Sequence, residues 1–263
     1  YLVLAAIGTS GGALNLLAQM LINQANQYES DPRIPFFRSH PDIGAFVQQH
    51  AASYGWHLND NYALAYRVLQ SVCGIQRGSQ PYSHMKKAEL VLKGYVSESS
   101  STQLTSLNIA INGGLAMGHY WKGRLLLEQA KQDHDRCNDY KDAAIASFCA
   151  TNVTERFDHL PENADEDAAP QLSPPQWLSA IELLRYPDRA VFRVDRRMVF
   201  QTIYQKLTQQ VEEVQSDNIQ IHNERYRLTK KDIRSNLERC LDMVKAQFPD
   251  KVPLIQEMIR SIR

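Results

Sequence analysis

Ser10 stands in Gly8-Thr9-Ser10-Gly11-Gly12, a G-x-S-x-G spacing. That spacing suits a serine nucleophile. Small neighbours permit a sharp turn that exposes the hydroxyl, and a helix starting just beyond aims its amides at a developing oxyanion. Such a turn needs a strand before it and a helix after it. Leu2 to Ile7 is an apolar run of strand length, and Ala13 to Gln27 carries Leu14, Leu17 and Leu21 on one helical face. The competing reading is a helix through this region, in which Gly8 and Gly12, four apart, let a second helix approach closely.

The run Gly8-Thr9-Ser10-Gly11-Gly12-Ala13-Leu14-Asn15 resembles the nucleophile elbow of the patatin-like lipid acyl hydrolases, which commonly reads Gly-Thr-Ser-Ala-Gly-Ala-Leu-Asn; it is also similar to α/β-hydrolase elbows. The resemblance spans residues 2–21. It implies that Ser10 is the nucleophile of a serine acyl hydrolase, with a base from an Asp-Gly-Gly or Asp-Gly-Ala motif and a glycine-rich oxyanion loop upstream. The chain departs from that pattern in two respects. Seven residues precede Gly8, and no Asp-Gly occurs; the nearest match is Asn112-Gly113-Gly114. An amide cannot accept the serine proton. An α/β-hydrolase would further call for parallel strands and a late histidine, where the last third of this chain reads as helices.

A second kind of chemistry is anion binding. Arg185, Arg189, Arg193, Arg196 and Arg197 crowd into thirteen residues, and Arg189, Arg193, Arg196 and Arg197 fit one face if the stretch is helical. Guanidinium forks grip carboxylates and phosphates at two points. From residue 177 onward there are 16 bases against 12 acids, a net of +4. The expected ligand is an acidic peptide, a phosphorylated partner or anionic lipid heads. The alternative is a solvated face paired internally with Glu182, Asp188, Asp195 or the acids at 162–167. A third candidate is Asp133-His134-Asp135 with Asp139 and Asp142, of which Asp135, Asp139 and Asp142 share a helical face. The group lacks the glycine and terminal glutamate of a calcium loop, so a solvated turn is the expectation, and no metal or other cofactor is assigned. His50 reads as a core histidine and His119 as structural.

Bulk properties narrow the classes. The 263 residues make one large or two small domains. Zero net charge gives no sign of nucleic-acid binding. Cys73, Cys137, Cys149 and Cys240 show no CxxC spacing and read as reduced thiols, which favours a reducing compartment. Asn152-Val153-Thr154 fits a glycan acceptor pattern that is common by chance. Residues 1–28 carry no charge, and 15 of the first 22 are apolar. That is long enough to reach a membrane or to anchor on a partner. Asn15, Gln19 and Asn23, and the absence of a base before Arg33, favour a buried segment instead. The sequence opens on Tyr1, as a piece of a longer chain would.

The elements that must hold these groups are mostly helical. Ser39-His40-Pro41-Asp42 reads as a helix start, followed by Ile43, Phe46, Val47 and His50 on one face. Tyr62, Tyr66, Leu69 and Cys73 repeat at helical spacing up to Gly74. Residues 88–96 read as a short strand or a helix end, and 97–101 as a loop. Helices follow at 104–112 and 115–133, divided by Gly113-Gly114, and at 139–150. Residues 159–175, rich in acid and proline, read as a linker. Ser173-Pro174-Pro175-Gln176 opens a helix with Trp177, Leu178, Ile181 and Leu184. Phe200, Ile203, Tyr204, Leu207, Val211 and Val214 mark the next. Thr229 starts a third, with Ile233, Leu237, Cys240, Leu241, Val244 and Phe248, and Pro253 starts a last one with Leu254, Ile255, Met258, Ile259 and Ile262.

The expected fold class is therefore mainly α: a helical domain over 1–158, an acidic Pro-rich linker over 159–175, and an amphipathic helical bundle over 176–263. The expected function is a non-catalytic adaptor or scaffold subunit that binds an acidic or phosphorylated protein partner through Arg189, Arg193, Arg196 and Arg197. The alternative is a serine acyl hydrolase using Ser10.

Overall fold

In a computed structural model, the described residues are 11–27, 60–75, 80–158, 170–189, 191–215 and 230–262, with positions 45 and 49. They form eleven α-helices and no strand, a mainly α fold. Residues 2–7, Ser10, the helix start at 39–42, His50, residues 159–169 and Thr229 lie outside the described residues.

The chain divides into two compact units, 1–132 and 133–263. In the first, helices α1 (Gly11–Gln27) and α2 (Asn61–Ile75) pack along their lengths. Leu14, Leu17, Ala18, Leu21, Ile22 and Ala25 of α1 meet Leu64, Ala65, Val68, Leu69 and Val72 of α2. Each leucine so enclosed stabilises the fold by roughly 1.5–3 kcal/mol. Much of the uncharged N-terminal stretch is thus core. Asp60 starts α2, its carboxylate accepting from the amides of Tyr62 (2.8 Å) and Ala63 (3.2 Å).

Helix α3 (Pro81–Leu92) opens on a proline at its first position, where no intrahelical donor is needed. It settles the ambiguity over 88–96. That stretch is the end of a helix and the turn beyond it, and Tyr95 stacks on Tyr62 with ring centroids 3.8 Å apart. Ser99 caps α4 (Ser100–Asn112) by accepting from the Thr102 amide. Asn112-Gly113-Gly114 then turns the chain into α5 (Ala116–Gln132). A Cβ on Gly113 would collide with the Pro81 ring, and Gly114 has φ +80°. Close approach and a left-handed backbone each require glycine here. The pair that comes nearest to the hydrolase motif is therefore a helix-to-helix corner. Helix α3 packs against α2, α4 and α5.

In the second unit, α6 (Cys137–Cys149) and the short α7 (Val153–Asp158) meet at a corner where Asn152 has φ +62°. Both pack against α8 (Pro174–Leu184). The linker expected at 159–175 falls mostly outside the described residues, and the helices on either side of it belong to one unit. Gln176 closes the start of α8 by accepting from the Ser173 amide (3.0 Å) and hydroxyl (2.9 Å). Helix α8 is buried all round; α9 (Arg196–Gln215) and α10 (Lys230–Gln247) enclose it with Val199, Phe200, Ile203 and Leu207 and with Ile233, Leu237, Cys240 and Val244. Helix α11 (Val252–Ser261) packs on α10 through Ile255 and Met258.

Candidate functional site

The arginine run does not form one helix face, which corrects the reading of 189–197 as helical. Helix α8 stops at Leu184. Tyr186, preceding Pro187, is biased away from helical backbone, and Pro187 to Arg189 make a single 3-10 turn. Residues 191–195 are irregular. Asp195 then opens α9 by accepting from the Arg197 amide at 2.8 Å, while its carbonyl accepts from the amide of Met198 at 3.0 Å. Pro187 and Asp195 are both sequence signals that break a helical reading of this stretch.

The five arginines divide by what they touch. Arg185 bonds the Glu182 carboxylate at 3.0 Å. Arg189 forms an ion pair with Asp142 of α6. Arg193 is exposed on the irregular segment, and Arg197 is exposed in the first turn of α9; neither guanidinium has an ion-pair partner among the described residues. Arg196, half-buried, has a partner of its own. No acid lies in that first turn of α9. The end of α9 itself is taken by the Asp195 carboxylate, with Arg193 two residues before it and Arg197 two residues after it.

The Asp133–Asp142 group is dispersed. Asp142 is committed to Arg189, Asp133 accepts from the Arg136 amide, and Asp135 and Asp139 face solvent. Among the described residues no three His, Cys, Asp or Glu side chains form a metal-holding cluster. Among them, too, no helix is long and apolar enough to cross a membrane. All four cysteines are free thiols. Burial raises the thiol pKa of Cys73 to about 11 and that of Cys240 to about 12. A thiol held protonated in this way is a poor nucleophile.

Two buried charge networks go beyond the sequence pattern, which pointed only to Glu182 as an internal partner of the arginine run. The first centres on α3. Lys86 and Lys93 both grip Glu89, at 2.8 and 2.9 Å. Burial alone would raise the Glu89 pKa, but the two lysines outweigh it and hold the carboxyl at about 2. For Lys86 burial opposes charge, and Glu89 again reverses the sign, so its pKa rises. Beside this, Glu98 accepts from the Tyr66 hydroxyl at 2.5 Å and from Lys87 at 3.4 Å. Burial, then the bond to Glu98, raises the Tyr66 pKa. His84 lies 3.2 Å from the Ser106 hydroxyl; burial and then Lys87 lower its pKa. This is a serine–histidine pair in bonding distance, with His84 half-buried and Ser106 only 2% exposed. Helical spacing flags none of these groups, because they are polar residues at core positions.

The second network centres on Glu182 of α8, which is fully buried. Arg185 takes one carboxylate oxygen, and Arg239 of α10 takes the other at 2.6 Å while also bonding Asn236 at 2.7 Å. Gln247 donates to the Leu184 carbonyl from the far end of α10. Isolated, that carboxylate would be very costly to bury; with two guanidinium groups its oxygens are met by charged donors.

No protein-family profile, no curated protein sequence and no solved structure matches this chain.

Proposed function

We propose that the protein is a non-catalytic helical adaptor or scaffold subunit that holds an acidic or phosphorylated partner segment on Arg193 and Arg197. One observation carries this reading. Within a single arginine run, Arg185 and Arg189 are spent on internal carboxylates, whereas Arg193 and Arg197 stand exposed and without an internal ion pair among the described residues. Arg189 then acts indirectly: its pair with Asp142 tethers the irregular segment to α6 and so presents Arg193. The mainly α fold fits a scaffold, and the Ser106 hydroxyl of the serine–histidine pair is buried.

Fluorescence anisotropy with acidic, phosphorylated and neutral peptides tests the proposal. Binding should favour the charged peptides, weaken as salt screens the contact, and fall at least about tenfold in Arg193→Glu/Arg197→Glu, the loss expected for a charge-assisted bond. Unchanged binding in that variant overturns the reading. So would a fluorophosphonate label on the wild type that disappears in Ser10→Ala, which would establish the hydrolase.

A further inference from the structure

One acceptor in the polar cluster around α3 is left over. Glu98 lies in the turn before α4, and only 10% of its side chain is exposed. Its Oε1 accepts from the Tyr66 hydroxyl and, at 3.4 Å, from Lys87. Its second oxygen, Oε2, is buried and has no hydrogen-bond partner among the described residues. An unmet carboxylate oxygen at such a position is costly, and it calls for a donor. His84 stands one helical turn before Lys87 on α3, and its Nδ1 lies 3.2 Å from the Ser106 hydroxyl of α4. That contact ties α3 to α4. Burial disfavours a charge on this ring, and Lys87 adds to the effect, while the Glu98 carboxylate acts on the same ring in the opposite sense.

We infer that His84 is a pH-sensitive latch between α3 and α4. Neutral, its Nδ1 accepts from the Ser106 hydroxyl; protonated, the ring leaves Ser106 and donates to Glu98 Oε2. A protonated Nδ1 has no lone pair for the serine proton, whereas a carboxylate oxygen accepts an imidazolium N–H. A bond between charged groups is roughly twice as strong as a neutral one, so the exchange favours Glu98 once the ring is charged. The other charges of this unit are engaged elsewhere. Helices α1 and α4 carry no charged side chain. On α2, Tyr66 is spent on Glu98, burial keeps the Cys73 thiol protonated, and Arg67 bonds Gln70 at the surface. On α3 and just beyond it, Lys86 and Lys93 share Glu89. On α5, Lys122 bonds Asn108, Arg124 bonds Tyr120 and Lys131 pairs with Glu128; His119, also on α5, has its own pKa lowered by burial and then by Lys122. Because burial and Lys87 lower the His84 pKa, the latch is closed at neutral pH and opens only below the ordinary value of 6.5.

Nuclear magnetic resonance on the full chain, with labelled histidine rings, tests this; a His84→Gln variant assigns the His84 signal. As pH falls, that ring should become imidazolium below 6.5. Over the same range, amide exchange in α4 around Ser106, corrected for its intrinsic pH dependence, should quicken by about tenfold or more, as a local opening does. Glu98→Gln keeps the shape of the acceptor and removes its charge. In that variant His84 should titrate at a still lower pH, and the α4 response should move with it. Ser106→Ala removes the partner of the neutral ring, so His84 should titrate at a higher pH than in the wild type, and exchange in α4 should no longer follow it. Circular dichroism checks that the variants keep their helix content; if Glu98→Gln does not fold, Ser106→Ala decides alone. Exchange in α4 that ignores the His84 titration in the wild type overturns the inference. So does a His84 pKa that either substitution leaves unmoved.

Discussion

Helices α3 and α8 each lie at the centre of a unit, and they bury charge in opposite ways. Helix α3 brings several charges inside and satisfies them mostly within its own length. Lys86 and Lys93 reach Glu89 from three and four residues away, and Glu89 keeps 14% of its side chain exposed. Helix α8 brings in one carboxylate, Glu182, with none of it exposed, and draws half of its counter-charge from Arg239, 57 residues along the chain. A local network can form when the helix forms. The Glu182 network exists only once α8 and α10 have docked, so it reports on tertiary assembly. It also leaves little room for water to substitute when a partner is removed.

That contrast sets the order of expected effects. Glu182→Ala strands Arg239 in the interior and should cost about 3–5 kcal/mol, the usual penalty for breaking a buried pair; urea denaturation measures it. If Glu182→Ala proves milder than Glu89→Gln, the distinction between the two helices collapses.

Acid comes next. Glu89 is held at about 2 against an ordinary value of 4.5. A lowered carboxyl pKa gives stability that is complete above about pH 5 and is lost as pH falls through about 2. The loss is worth up to ~3 kcal/mol at 1.36 kcal/mol per unit. His84, with its pKa lowered by burial and Lys87, adds a loss of the same sign that begins below its ordinary value of 6.5. Acid titration of stability should therefore fall in two stages in the wild type, and Glu89→Gln should remove the lower one. A low-pH limb unchanged in Glu89→Gln would show that the α3 network is not what titrates there.

A smaller effect separates packing from charge. Gly113→Ala drives a methyl into the Pro81 ring at the start of α3 and should cost about 1–3 kcal/mol. The smallest belongs to the exposed arginines. Arg193→Glu/Arg197→Glu should move the melting free energy by less than about 0.5 kcal/mol while removing partner binding. A large loss of stability would mean that these arginines act in the fold rather than on a partner.

Helical segments were legible where apolar residues repeat at helical spacing or a cap is spelled out. Ile233, Leu237, Cys240 and Val244 are all buried on one side of α10, and Ser173 and Gln176 do start α8. Residues 75–104 were harder. Helix α3 faces the interior with Ser83, Lys86 and Lys87 as well as Met85 and Leu90, so its apolar period is broken by polar groups paired with Asn15 of α1, with Glu89 in α3 itself and with Glu98 just before α4. The arginine run failed for the opposite reason: its spacing suits a helix, but Pro187 and Asp195 end one and begin another within it.

The sequence by itself determined the mainly α class, most helix positions and the presence of an arginine cluster, because apolar period, capping and composition act over a few residues. Only the tertiary structure decided which arginines are spent inside and which remain outside, and that polar residues of α3 belong to the core. Those outcomes depend on which distant carboxylate arrives beside each cation, as Asp142 does for Arg189 and Glu182 for Arg239, and no local spacing encodes a partner that the fold alone brings near.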